Sequence, residues 1–301
     1  MKVKDGIIGF VVGDALGVPV EFRSRESLKD DPVVDMREYG TYGMPRGTWS
    51  DDSSMILATM ASIINKKGID LEDIMKEFCE WFYNSKYTQY NDTFDFGMTT
   101  STAIERYHHG MPIDKCGGTS DRDNGNGSLM RILPLAFLPD IDFETVENVS
   151  ALTHAHKTSR IACVLYIQIA KSILENDDLT LDEHIQKASQ EIIDHYDEKY
   201  LKHYHRIFNL DFSKGILSGG YVVDTLESVV YCLITTGNYN DALLKAVNLG
   251  GDTDTVAGIC GGLAGIYYGF DDIPVDWTSQ IPKLDTVVSL CEEYEALLDE
   301  Y

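Results

Sequence analysis

Two short segments carry the side chains best suited to chemistry. The first is Gly47-Thr48-Trp49-Ser50-Asp51-Asp52-Ser53-Ser54-Met55, just ahead of a helical pattern. The second, far along the chain, is Asn248-Leu249-Gly250-Gly251-Asp252-Thr253-Asp254-Thr255, again ahead of a helix. Taken singly, each reads as an N-capping segment, because Ser, Thr and Asp accept from the free N–H groups of a first turn. One cap needs only one acceptor, however, and neighbouring carboxylates repel. Four carboxylates with hydroxyls, brought together, would make an all-oxygen site suited to Mg²⁺, Mn²⁺ or Ca²⁺. That chemistry requires the two segments to converge in space.

Other metal chemistries fit less well. An EF-hand loop starting at Asp252 needs an oxygen ligand where Val256 sits and a Glu near the loop end. Zinc prefers His and Cys, yet Cys79, Cys116, Cys163, Cys232, Cys260 and Cys291 are scattered without a C-x-x-C pair. They read as reduced core residues. His108-His109 and His154-x-His156 read as polar packing.

The elements that must position these groups are helical. Leu71, Ile74, Met75, Phe78, Cys79 and Phe82 share one helix face that Asp70 would cap. Residues 157–175 are apolar nearly all round, as in a buried central helix. Asp224 with Glu227 resembles a capping box opening a helix to about Thr236, and Asn240 would cap another carrying Leu243, Leu244 and Val247 inward. From Val256 to Tyr268 the chain holds Gly258, Gly261, Gly262 and Gly265. Each costs up to about 1 kcal/mol in a helix, so a close approach of another backbone is the reason to keep them. Loops at 40–50, 116–128, 215–221 and 249–252 interrupt the helices. No alternating strand pattern and no repeat is visible. The expectation is an all-α fold, a single compact helical domain over residues 1–301.

Of 301 residues, 44% are hydrophobic, enough for a substantial core. Acidic residues number 49 against 25 basic, a net charge of −24. That balance argues against general nucleic-acid binding, which needs clustered Lys and Arg. Lys2 and Lys4 ahead of an apolar stretch faintly resemble a signal peptide, but Asp5 and Asp14 bracket the stretch and no clean cleavage site follows. No apolar run reaches the roughly 18 residues of a membrane span. A cytoplasmic monomer without a membrane partner is expected.

Six ordered blocks then resemble the ADP-ribosylglycohydrolase family. They are G-F-V-V-G-D-A-L-G-V-P-V-E (9–21), G-T-W-S-D-D-S-S-M (47–55), N-G-N-G-S-L-M-R-I-L-P-L-A (124–136), T-H-A-H (153–156), G-Y-V-V-D-T-L-E (220–227) and N-L-G-G-D-T-D-T-V-A-G (248–258). The resemblance implies a helical fold with two Mg²⁺ or Mn²⁺ ions at the base of a cleft. It implies Ser50, Asp51, Asp52, Asp252, Asp254 and Thr255 as metal ligands; Ser50 stands where relatives often have Thr. Glu21 falls at the family's reacting centre, and Asp123 matches an acid/base position, although Asp121-Arg122-Asp123-Asn124-Gly125 also reads as an exposed turn. Asp14 reads as the anchor of a turn or helix end. Asn126, Gly127, Ser128 and Met130 belong to a block whose loop contacts ligand. His154 reads equally as a ribose or phosphate contact and as a core histidine, and Tyr221 as an adenine stacker or a packing residue.

The implied substrate is an ADP-ribosylated protein or small ADP-ribose conjugate, with ADP-ribosylarginine favoured. Two divalent cations would offset four Asp, and the glycine-rich 124–128 backbone would receive the diphosphate. A water of depressed pKa would attack the anomeric carbon, with Glu21 orienting it or moving a proton. Two-metal sites hold their ions about 3.5–4 Å apart, so the two Asp segments must face each other closely. Two rivals remain at this stage. One is a catalytically inactive ADP-ribose-binding or structural relative. The other is a haloacid-dehalogenase-type phosphatase, since Asp252-x-Asp254-Thr255-Val256 matches its D-x-D-x-[TV] start, which should close a parallel strand.

Overall fold

The computed structural model describes residues 2–301. Its longer helices are α1 (Val3–Gly17), α2 (Asp51–Lys66), α3 (Leu71–Asn84), α4 (Met98–His108), α5 (Phe143–Ala151) and α6 (Lys157–Glu175). They continue with α7 (Leu181–His195), α8 (Val222–Ile234), α9 (Tyr239–Val247), α10 (Thr253–Tyr268) and α11 (Leu284–Leu298). Short helical turns occupy the connections. Among the described residues β pairing is confined to isolated bridges, Tyr39–Met44, Gly118–His154 and Gly125–Tyr221. The fold is all-α, and one apolar cluster runs from Val3 to Leu298.

Two helices that are apolar on every side form its centre. In α1 every residue from Gly6 to Gly17 is buried, and in α10 every residue from Thr253 to Ile266. They run antiparallel and touch backbone to backbone. A Cβ on Gly9 would sit 2.4 Å from the Gly261 carbonyl oxygen, and one on Gly13 would sit 2.1 Å from that of Ala257. A Cβ on Gly17 would meet the Asp254 Cα at 2.3 Å. The glycines of α10 thus answer a packing demand that outweighs their poor helix propensity. The consequence for function is direct: the end of α1 is pinned against the start of α10, which brings Glu21 to Asp254.

Asp70 caps α3, its carboxylate accepting from Asp73 N–H at 3.0 Å. The buried helix over 157–175 has the expected limits. Two helix starts differ. The helix expected to open at Asp224 begins at Val222, and Glu227 is not a cap: it is buried and pairs with Arg206 at 2.7 Å. The helix expected from Asn240 is capped by Asn238 instead, which accepts from Asp241 N–H at 2.8 Å. Tyr239 is fully buried, so the core takes the chain two residues earlier than the apolar spacing suggests. All six cysteines are free thiols, five of them buried. No helix of the described residues is long and apolar enough to cross a membrane.

Candidate active site

The start of α2 is fastened from beneath. Asp14, fully buried in α1, accepts from Ser50 N–H at 3.0 Å and from Ser53 N–H at 3.0 Å. A carboxylate therefore serves this helix N-terminus from another helix, in the anchoring role expected of Asp14. The Ser50 hydroxyl accepts from Asp52 N–H at 3.2 Å. With their own caps supplied, Asp51 and Asp52 are left to face the cleft, 4% and 1% exposed.

The second segment meets them from the opposite side. Gly250 and Gly251 take φ of 74° and 79°, a region that costs glycine nothing. The turn they form is tied to the strip after α1: Phe22 N–H donates to Gly251 O at 2.7 Å and Gly251 N–H to Arg23 O at 2.9 Å. Asp252 is thereby set beside Glu21. Asp51, Asp52, Asp252 and Thr255 line one cleft, and the Asp252 charge acts on Asp52, so the two acidic segments converge. Asp252 also accepts from the Asn126 amide at 2.9 Å. Asp254, fully buried, lies with Glu21 and Asp95, their nearest carboxylate oxygens all within 4.8 Å of one another. Because Asp252 follows helix α9 and opens α10, the strand-ending geometry of a haloacid-dehalogenase phosphatase does not occur here.

Asp95 and Tyr42 are members of this cluster that the sequence did not mark. Asp95 holds a left-handed backbone, φ 68°, in an irregular stretch before α4. The Tyr42 hydroxyl contacts both Glu21, at 2.6 Å, and Asp95. A phenol has one proton, so it donates to one carboxylate while the other must itself be protonated to donate back. Burial, and then the neighbouring Asp95 charge, push Glu21 up to about 9. Burial raises Asp51, Asp52 and Asp254 well above the ordinary carboxylate range, with Asp95, Asp14 and Asp95, respectively, as the next contributions. Burial also raises Asp252, against the hydrogen bond from the Asn126 amide. No Lys or Arg among the described residues pairs with any of them.

Above this floor opens a cleft of about 680 Å³. One wall is the 118–127 loop, stitched to the chain around His154 by Gly118 N–H to Thr153 O at 2.8 Å and Ala155 N–H to Gly118 O at 2.7 Å. Asn126, Gly127, Met130 and His154 line the cleft. His154 is 2% exposed, and burial, then Arg131, push it down to about 3, so it is neutral. His156 sits apart, capping α6 and pairing with Asp121. Ser128 is placed otherwise than the loop pattern suggests: its hydroxyl is fully buried between Ser150, at 2.9 Å, and Cys163. Tyr221 stands half-exposed next to Gly220, which lines the cleft. Asp123 lines it too, but its carboxylate accepts from the Ser120 hydroxyl and N–H at 2.7 and 2.9 Å, and these bonds lower its pKa. A carboxylate so held is a poor proton donor, whereas Glu21 is a good one.

The sequence profile of the ADP-ribosylglycohydrolases matches residues 1–301. An ADP-ribosyl-dinitrogen reductase glycohydrolase of Rhodospirillum rubrum is 32% identical over 97% of this chain and 93% of its own. The ADP-ribosylarginine hydrolase Tri1 of Serratia proteamaculans (strain 568) is 28% identical over 97% of this chain and 78% of its own. A solved structure described as an ADP-ribosylglycohydrolase-related protein complex superposes with a TM-score of 0.78 at 24% identity, covering 99% of this chain and 98% of that one, a likeness of fold. On the profile match along the whole chain and the identity to these relatives, the protein belongs to the ADP-ribosylglycohydrolase family and is a glycosidic-bond hydrolase.

Proposed function

We propose that the protein removes ADP-ribose from arginine in modified proteins, cutting the N-glycosidic bond over a pair of Mg²⁺ or Mn²⁺ ions. The observation that carries this reading is a set of buried carboxyl groups with no cationic side chain to balance them. Asp52 Oδ2 and Asp254 Oδ2 are buried without a hydrogen-bond partner, which is costly unless something positive faces them. The donors are all oxygens, a set that fits Mg²⁺ or Mn²⁺ and not zinc. Ser50, Asp51, Asp52, Asp252, Asp254 and Thr255 would hold the ions, with Glu21 and Asp95 beside Asp254. When bound, they would offset the carboxylate charge, polarise ribose hydroxyls and acidify water.

The remaining steps belong to the chain's own residues. Glu21, Asp95 and Tyr42 form a proton reservoir with one more acidic proton than the phenol alone supplies. As the C–N bond breaks, the bonding pair leaves with the guanidine nitrogen, which takes a proton from the carboxylic acid of this group. Water adds to the anomeric carbon, and its proton returns to the same carboxylate. Oxocarbenium character developing at that carbon faces a carboxylate-rich floor, which favours it. The same floor favours a guanidinium over a neutral leaving group. Arg122, His154 and the glycine-containing loop lie on the far wall, where the diphosphate would sit. Asp123, held by Ser120, orders that wall.

The test is release of ADP-ribose from ADP-ribosylarginine protein, with and without Mg²⁺ or Mn²⁺, alongside an Asp252→Ala/Asp254→Ala double variant. Metal-dependent release that the double variant lacks is expected. Release confined to serine-linked ADP-ribose would overturn the arginine assignment, and binding of ADP-ribose without any release would favour a binding protein.

A further inference from the structure

The interior holds one charged side chain that this chemistry leaves unused. Arg131 is fully buried, and no carboxylate among the described residues lies in ion-pair reach of it. Its Nε and Nη1 have no hydrogen-bond partner, and its guanidinium lies 4.6 Å from the centre of the Phe78 ring. Burial pushes its pKa down to about 10. A buried cation without a counter-charge destabilises a fold, so its reason lies in what the third nitrogen holds. Nη2 donates to Val149 O at 3.2 Å and to Thr153 Oγ1 at 2.8 Å.

Thr153 is also fully buried, and its Oγ1 lies 2.8 Å from His154 Nδ1. A guanidinium can only donate, so the Thr153 oxygen accepts from Arg131. Its own O–H then needs an acceptor, and His154 Nδ1 is the one in reach among the described residues. Were Nδ1 protonated instead, that O–H would be buried with its hydrogen bond unmade. The imidazole proton therefore sits on Nε2, on the side of the ring packed against the ligand loop. A Cβ on Gly127 would lie 2.8 Å from the ring's Cε1 and 3.3 Å from Nε2, and one on Gly125 would lie 3.6 Å from Nε2. Glycine at these positions leaves that N–H uncovered.

We propose that Arg131 is a positioning residue: acting through Thr153, it fixes His154 as the neutral Nε2–H tautomer, which presents a donor to a phosphate or ribose oxygen of ADP-ribose. The ligand named here rests on the function proposed above; the tautomer does not. Double protonation offers no way round the arrangement, because burial and the Arg131 charge oppose it and outweigh Asp123, the one acid facing the ring.

Long-range ¹H–¹⁵N correlation of the full-length, histidine-labelled protein in Mg²⁺ reads the tautomer, with the His154 peaks assigned by their loss in His154→Gln. Calorimetric titration with ADP-ribose is the second readout. Wild-type protein is expected to show Nε2–H. Thr153→Val, which keeps the shape and loses the hydroxyl, is expected to lose that pattern and to bind ADP-ribose about tenfold more weakly. Thr153→Ser is expected to keep both, and Arg131→Met to admit the Nδ1–H form. An Nδ1–H wild type, or an Nε2–H pattern unchanged in both Thr153→Val and Arg131→Met, would overturn the proposal. An Nε2–H wild type that does not bind ADP-ribose would uphold the tautomer and overturn the ligand reading.

Discussion

Glu21 and Glu147 are each 5% exposed, yet their surroundings treat them in opposite ways. Glu147, on α5, is gripped by Lys157 at 2.7 and 2.9 Å, by Arg160, and by the Tyr196 hydroxyl at 2.7 Å. Burial acts to raise its pKa, but these partners outweigh burial and hold it below the ordinary value. Glu21 has Asp95, Asp252 and Asp254 for neighbours, and is raised to about 9. Burial alone does not make a functional carboxylate. What separates the two sites is that one brings its own cations and the other leaves the counter-charge to be supplied from outside. A saturated ion cluster is a structural device, and an unsaturated one is poised to take up a proton or a metal ion.

The comparison breaks most visibly at Asp254. Asp254→Asn is expected to lower ADP-ribose release by about a thousandfold or more, since it removes charge at the reacting centre. In chelator the same variant is expected to be more stable than wild type, because a buried, unpartnered carboxyl has gone. Urea unfolding with and without Mg²⁺ checks this, and a less stable metal-free variant would contradict the charge argument. Glu147→Gln is expected to do the reverse. Lys157 and Arg160, partly exposed, would be left to water, so the loss is about 2 kcal/mol of unfolding free energy, with turnover of the folded enzyme unchanged.

The acidic segments were legible because capping chemistry needs one acceptor per helix start, and each offered two. Their convergence was not legible. It follows from the α1–α10 glycine contact: Gly258 to Gly265 read as a close-approach face, and Gly9, Gly13 and Gly17, four apart on one face of α1, are its partner, but neither set says which helix the other meets. Asp95 escaped because it sits in irregular chain at positive φ, and Tyr42 because it ends a single 3₁₀ turn, both too short of regular structure for periodicity to mark a residue. Ser128 looked like a ligand contact from its glycine neighbours. The apolar run after it, Leu129-Met130-Arg131-Ile132-Leu133, begins to turn the chain into the core one residue early. In that run a signal was available: a lone arginine among apolar residues is a buried cation, and a buried cation asks for a reason.

Two smaller effects sharpen the contrast. The first is the sign of the pH dependence. Glu147, depressed in the fold, contributes stability that is complete above its ordinary value of 4.5 and lost as pH falls through its folded value. Glu21, raised in the fold, contributes stability below 4.5 that is lost as pH rises toward 9 in metal-free protein. Unfolding free energy in chelator is therefore expected to decline from pH 5 to 9, by up to about 1.4 kcal/mol per unit for each such group. Mg²⁺ should flatten that decline while Glu147→Gln leaves it in place. The second is Tyr42→Phe, which keeps the ring and removes the hydroxyl that bridges Glu21 and Asp95. About a fivefold loss of kcat is expected, the scale of one hydrogen bond, with KM little changed. Because the phenol's hydrogen bond lowers Glu21, its removal should move the basic limb of the kcat profile to higher pH. A fall in kcat without that displacement would mean that the hydroxyl acts other than through Glu21, and that the proton is held elsewhere in the cluster.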